Sequence, residues 1–290
     1  MRVIGLFVVT AAMVCPSALV AAEPPVGENF SRDKLVAWCI VPFDAKRRGP
    51  EERAQMIERL GMKRVAYDWR DEHVPTFEQE IQQYQQHGLE FFAFWSWHDD
   101  FAPLVKKYGI KPQIWMTCPS PAGGSQTERV TAAVQELLPL ARKTAELDLP
   151  LGLYNHGGWG GEPRNLIAVC EVLRRELGAG RVGIVYNFHH GHDHMADFRE
   201  SFALMKPHLL CLNLNGMADA SRVSGGQDKI LPIGTGQHER DLLRIVIDSR
   251  YDGPIGILDH RPELDAEQSL RENLTGLEQV LQELAPGPDE

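Results

Sequence analysis

From residue 35 onward, short apolar runs rich in β-branched and aromatic residues alternate with amphipathic stretches. The runs are Leu35–Val41, Arg64–Trp69, Leu89–Trp97, Lys111–Thr117, Leu149–Asn155, Val182–Phe188, Leu209–Asn215 and Pro254–His260. They are nearly continuous rather than alternating, the pattern of parallel strands whose outer face is covered by helices. Between them, Pro50-Glu51-Glu52 opens a helix that stops at Gly61, and Thr76 starts one that ends at Gly88. Further helical patterns cover 99–108, 126–147, 163–177, 195–205, 239–250 and 265–284. Strand–helix units in this number and rhythm predict one α/β domain, a single (β/α)8 TIM barrel over 35–284. An open doubly wound sheet is the alternative. No Gly-x-Gly-x-x-Gly follows the first strand, so the barrel is favoured and no nucleotide cofactor is expected.

The chain before the first strand reads as an address. Arg2 precedes an apolar run from Val3 to Val14, and Val20-Ala21-Ala22 places small residues at a cleavage point. This layout predicts a signal peptide over 1–22 and export to the periplasm or the extracellular space. Residues 23–34 read as a linker, 285–290 as a flexible tail, and 217–229 as a loop inserted after the seventh strand. No later stretch reaches eighteen consecutive apolar residues, so no membrane association is expected after cleavage. Cys39, Cys118, Cys170 and Cys211 then remain, without a Cys-x-x-Cys pair, and read as buried thiols.

Composition narrows the partners. With 43% hydrophobic and 24% charged residues, the chain is neither disordered nor fibrous. A formal charge of -10 argues against a nucleic-acid partner and leaves small ligands. The oligomeric state is not encoded in any pattern of this chain.

The chemistry lies in where 6 tryptophans and 11 histidines fall. The loops after barrel strands form the catalytic face. Asp68 and Trp69 follow strand two, and Trp95, Trp97 and His98 follow strand three. Strand five ends in Tyr154-Asn155-His156-Gly157-Gly158-Trp159, and strand six in Asn187-Phe188-His189-His190. Strand seven ends in Asn213-Leu214-Asn215, strand eight in Asp259-His260-Arg261, and His238 precedes the seventh helix. Imidazoles on one rim bind metal, relay protons or bond hydroxyls. Strand-end indoles offer faces for sugar rings, whereas Trp38 and Trp115 lie within strands and read as core. Asn155, Asn187, Asn213 and Asn215 end apolar strands, where an amide either fixes a loop or reads a polyhydroxylated ligand.

These strand ends resemble those of the xylose isomerase-like TIM barrels, the sugar phosphate isomerase/epimerase family. The likeness rests on Asn155-His156-Gly157-Gly158, on Asn187 with His190 three residues later, on Asn213-x-Asn215 and on Pro232-Ile233-Gly234-Thr235-Gly236. The resemblance implies a barrel that moves a proton beside a sugar carbonyl, with one divalent metal held by Glu, Asp, His and Glu at four strand ends. Those positions fall here at Tyr154, Asn187, Asn213 (or Cys211) and Asp259. Only Asp259 keeps a charge, and neutral oxygens hold a hard cation poorly. A rebuilt site for zinc, manganese or iron would draw on His156, His189, His190, His238 and Asp259.

The first expectation is an exported isomerase- or epimerase-like enzyme acting on a small carbohydrate. Asp259, His190 and His156 are its candidate catalytic groups. Asp68, Trp69, Trp95, Trp97, His98, Asn155, Trp159, Asn187, Asn213, Asn215 and Arg261 are its candidate substrate contacts. A non-catalytic carbohydrate-binding barrel that has lost the metal is the second expectation. A glycoside hydrolase using Asp68 and Asp259 is the third. Few basic residues beyond Arg70, Arg222 and Arg261 stand near the rim, which disfavours a phosphorylated substrate.

Overall fold

The computed structural model describes residues 27–178, 180–219 and 229–285. The expected signal peptide, and residues 286–290 of the expected tail, lie outside them. Eight parallel strands close into one barrel: β1 (Val36–Trp38), β2 (Arg64–Asp68), β3 (Glu90–Trp95), β4 (Gln113–Thr117), β5 (Leu151–Tyr154), β6 (Val182–Asn187), β7 (Leu209–Leu214) and β10 (Ile255–Leu258). Each falls inside its expected run. Residues facing the helices, such as Val65, Tyr67, Leu151, Leu153, Ile255 and Ile257, join one continuous core with the helical faces. Their inward neighbours, among them Val36, Trp38, Ala66, Trp115, Tyr154, Val185, Cys211 and Leu258, fill the barrel.

Two glycines make that filling possible. A Cβ at Gly152 would stand 2.9 Å from the Trp115 ring and 2.6 Å from Val185, so its absence admits the indole. At Gly256 the space belongs to Asn213, whose Oδ1 would collide with a Cβ. Large and small residues thus alternate across neighbouring strands, as barrel layers require.

The helices are α1 (Pro50–Arg59), α2 (Phe77–Gln86), α3 (Phe101–Tyr108), α4 (Gln126–Glu146), α5 (Gly158–Gly161), α6 (Pro163–Leu177), α7 (Phe198–Met205), α8 (Glu239–Asp248) and α9 (Ala266–Leu284). Ser125 caps α4 by accepting from the Glu128 N–H, and Asp265 caps α9 by accepting from that of Glu267. Between α1 and α2, Arg53 and Glu80 form a buried ion pair at 2.7 Å. No helix of the described residues is long and apolar enough to cross a membrane.

Two segments differ from expectation. The described part of the 23–34 segment is not a free linker. Asn29 donates to the Tyr251 and Gly253 carbonyls, and Phe30 enters the core. The 217–229 insertion is entered through an antiparallel pair, β8 (Gly216–Met217) with β9 (Ile230–Leu231). Residues 220–228 lie outside the description. The pair escaped sequence reading because two-residue strands carry no periodicity.

Candidate active site at the barrel mouth

The C-terminal ends of the strands enclose a continuous aromatic and imidazole surface. Its floor is a packed group in which Trp38 lies 4.9 Å from Trp115 and 6.0 Å from both Trp95 and Tyr154. Trp95 stands edge-on to Tyr154 at 4.5 Å. The Trp38 Nε1–H donates to the Tyr154 hydroxyl at 3.3 Å, and burial pushes that phenol well above its ordinary pKa. Trp38 and Trp115 are core, as expected, and together they form the base of the mouth.

Above the floor stand the histidines. His156 and His190 lie 4.6 Å apart between ring centroids, His190 and His189 4.3 Å, and His189 and His260 5.8 Å. Desolvation, reinforced by the neighbouring imidazoles, pushes His189 down to about 3 and His190 down to about 2. Burial likewise lowers His260 and His192. His189 and His190 are therefore neutral near pH 7, each offering one N–H donor and one acceptor lone pair. The buried Nδ1 of His189 has no hydrogen-bond partner.

Two buried carboxyls flank β1. Asp68, at the end of β2, accepts from the Val41 N–H through Oδ1 at 3.2 Å, while Oδ2 is unpartnered. Burial, opposed by the Arg70 charge, raises its pKa to about 7. Asp259, beyond β10, accepts a hydrogen bond from Ser269 on α9, and Arg261 donates to the same serine and to Glu272. Burial pushes Asp259 well up. Cys39, turned into the left-handed region at φ 60°, lies between these carboxyls, and burial and both their charges raise its thiol pKa.

The asparagines divide by role. Asn155 laces β5 to β6: its Nδ2 donates to the Asn187 carbonyl, and its Oδ1 accepts from the Asn187 N–H at 2.8 Å. Asn213 accepts from the Cys211 thiol and leaves Nδ2 unpartnered, and the Asn187 Oδ1 is unpartnered too. Asn215 donates to the Gly216 carbonyl, at the start of β8.

The structure does not gather every expected contact at the mouth. Trp97 donates to Asp99 and carries Lys143 of α4 over its ring. Trp159 donates to Gln126 and lies under Arg129, also of α4. His98 packs edge-on against Trp69 and Phe77 in the helical layer. All three thus pack against side chains of α2 or α4. Trp95, on the barrel side, and Trp69, packed against Phe77 and Phe94, wall a cavity of about 500 Å³ with Arg70, Asp71, Glu72 and Ser96. His238 stands at the start of α8, and its charge is felt by His192 rather than by His190.

The divalent metal implied by the family does not fit these residues. Tyr154 and Asn213 offer only neutral oxygens, which already accept from the Trp38 indole and the Cys211 thiol, and Oδ2 of Asp259 is the one carboxylate oxygen of the set without a partner. Among the described residues no group of three or more His, Cys, Asp or Glu side chains is arranged to hold a metal ion. The rebuilt histidine set expected from the sequence is therefore not assembled: His156, His189 and His190 cluster, while His238 stands at the start of α8 with a buried, unpartnered Nε2 and Asp259 accepts from Ser269.

Charge is placed for proton transfer instead. Asp68, with a pKa of about 7, pairs across the sheet with Trp95, whose ring lies 6.2 Å from that of His156. Such a set can take up a proton and polarise an oxygen without an ion.

No protein-family model and no curated protein matches the sequence. Solved structures do match. The probable 3-DHS dehydratase AsbF, involved in petrobactin synthesis, from Bacillus anthracis is 16% identical, with a TM-score of 0.63 over 84% of this chain and 98% of its own. The IolI protein, solved with a bound zinc atom, is 12% identical, with a TM-score of 0.66 over 87% and 99%. The 3-keto-D-glucoside 4-epimerase YcjR from E. coli is 13% identical, with a TM-score of 0.60 over 86% and 99%. With its closed eight-stranded parallel barrel, the chain has the fold of the xylose isomerase-like TIM barrels.

Proposed function

We propose that the protein is a sugar-modifying enzyme of the isomerase or epimerase type that moves a proton beside a carbonyl without a metal ion. The observation that carries this reading is Asp68, a buried carboxyl at a strand end, with one free oxygen and a pKa of about 7. A base near the working pH is efficient, because it is half in its active form and still holds a proton well. Asp68 takes the proton from the carbon next to the carbonyl. His189 or His190, neutral, donates an N–H to the carbonyl oxygen as negative charge develops there. His156, on the exposed side of the same cluster, exchanges protons with solvent. The indole of Trp95 supplies an apolar face for the sugar ring.

Asp259 also has an unpartnered Oδ2, but its Oδ1 is tied to a side chain of α9, Ser269, which Arg261 holds in turn, whereas Asp68 accepts only from a backbone N–H. The part of Asp259 is to hold the β10 end in place. That proteins of similar fold include a 3-keto-D-glucoside 4-epimerase and a probable 3-DHS dehydratase supports the reaction class.

The test is solvent-proton exchange. Protein treated with chelator is incubated in D2O with a panel of aldoses, ketoses and sugar acids, and deuterium at the carbon beside the carbonyl is read by NMR. Incorporation that survives the chelator and is lost in Asp68→Asn supports the reading. Absence of exchange across the panel overturns it.

Export is part of the same proposal, resting on Arg2, the Val3–Val14 run and Val20-Ala21-Ala22. A secreted or periplasmic form beginning at Glu23 supports it, and an intact Met1 terminus on the cell-associated protein contradicts it.

A further inference from the structure

We propose that the substrate is a carbohydrate acid whose carboxylate is bound by Arg70. This rests on the function proposed above and names its substrate class. Arg70 follows Asp68 by two residues and walls the cavity of about 500 Å³ beside Trp69 and Trp95. Its guanidinium lies 5.5 Å over the Phe43 ring, and Phe43 packs against His260 at 4.0 Å. The side chain is thereby laid across the mouth, and its charge reaches Asp68, Cys39 and His260.

Arg70 makes no ion pair with a described residue. Its Nη1 donates to the Trp69 carbonyl at 2.7 Å, which fixes the plane of the group and leaves the Nε–Nη2 edge for a ligand. That edge matches a carboxylate in bidentate fashion. Arg261 is committed to Glu272 and Ser269, Arg48 to Asp44 and Asp265, and Arg129 to the Pro121 carbonyl and the Trp159 ring. With His189 and His190 neutral, Arg70 is the cation lining this cavity, while Lys229 acts on His189 and His192.

Carboxylate fits better than phosphate for two reasons. Asp71 and Glu72 line the same cavity and disfavour a dianion. The backbone cradle that could take a phosphate is already filled. The N–H groups of Met217, Gly234 and Gly236 all donate to the Glu239 carboxylate, at 2.7 to 3.0 Å. A carboxylate on the Arg70 edge would also fix the neighbouring carbons near Asp68, where the proposed proton transfer occurs.

The experiment compares D-glucuronate and D-galacturonate with D-glucose, D-galactose and glucose 6-phosphate, by calorimetry on the full chain. Wild type, Arg70→Gln and Arg70→Lys are titrated after their thermal midpoints confirm folding. The expected result is that uronates bind and the neutral sugars bind roughly tenfold or more weaker. Arg70→Gln should abolish that difference, and Arg70→Lys should keep part of it. Uronates that fail to bind, neutral sugars that bind as tightly, an unaffected Arg70→Gln or a preference for glucose 6-phosphate would each overturn the proposal. Uronate binding without deuterium exchange leaves this inference standing and removes the catalytic reading. Exchange on neutral sugars alone does the reverse.

Discussion

The Trp38 indole donates to the Tyr154 phenol at 3.3 Å across the buried centre of the barrel. The resemblance puts the family's first metal-binding Glu at Tyr154, where this chain has an aromatic contact. Tyr154→Phe removes the acceptor and leaves a buried indole N–H unpaired. The expected cost is about 1–3 kcal/mol, read as a lowered thermal midpoint. Tyr154→Glu should destabilise further and take up no divalent metal, because Trp38, Trp95 and Trp115 still fill the floor. Tight metal binding by Tyr154→Glu in equilibrium dialysis would show that the ligand set needs only this residue.

Stability should depend on pH in two opposing ways. Asp68 has an ordinary value of 3.8 and is raised to about 7 in the fold. Between those values the unfolded chain releases this proton and the native state keeps it. The stabilisation is therefore complete below 3.8 and is lost as pH rises through about 7. His189 and His190 act in the other sense. Their native values of about 3 and about 2 lie below the ordinary 6.5, so stability present above 6.5 is lost as pH falls. Asp68→Asn imitates the protonated acid and should stabilise the protein at pH 8 by up to a few kcal/mol, at ~1.4 kcal/mol per pKa unit. At pH 4 the two proteins should be nearly alike. Urea midpoints at both pH values check this, and an equal difference at both would refute the raised Asp68 pKa.

Glu239 holds Met217, Gly234 and Gly236 through three backbone N–H groups while standing at the start of α8. Glu239→Ala leaves those donors unpaired, with an expected cost of about 2–3 kcal/mol. Hydrogen exchange should accelerate at these three amides and not at β4 or β5. Uniform acceleration throughout the barrel would mean that Glu239 supports global stability rather than this one corner.

Asn155 should behave as structure rather than as a ligand contact. Asn155→Leu removes both its bond to the Asn187 carbonyl and its acceptance of the Asn187 N–H. Because the site is fully buried, loss of about 2 kcal/mol or more is expected, with uronate affinity per folded molecule unchanged. A selective loss of affinity in Asn155→Leu at full stability would place this amide in the ligand site instead.

The strands were legible because parallel strands under helices are apolar on both faces, and such runs stand out in any window. The concentration of His156, His189, His190 and His260 at one rim was legible for the same reason: strand ends locate loops. Direction was not legible. Trp97, Trp159 and His98 lie a residue or more past the strands, where the period of two no longer says which way a side chain points. The roles of Asp68 and Asp259 depended on depth and partners. Both keep an unpartnered Oδ2, and what differs is the donor to Oδ1, the Ser269 side chain for Asp259 and the Val41 backbone N–H for Asp68. The Arg53–Glu80 pair and the Glu239 clasp were likewise invisible, since each joins elements that are remote in the pattern.

The central claim, a proton transfer by Asp68 without metal, is tested most directly by the pH dependence of solvent-deuterium incorporation in chelator-treated protein. The measurement uses the best-binding sugar acid at saturating concentration. The rate is predicted to rise with pH through about 7 to a plateau, and to vanish in Asp68→Asn while persisting in Asp259→Asn. An exchange that needs added divalent metal, or that survives Asp68→Asn with its pH profile intact, would contradict the account.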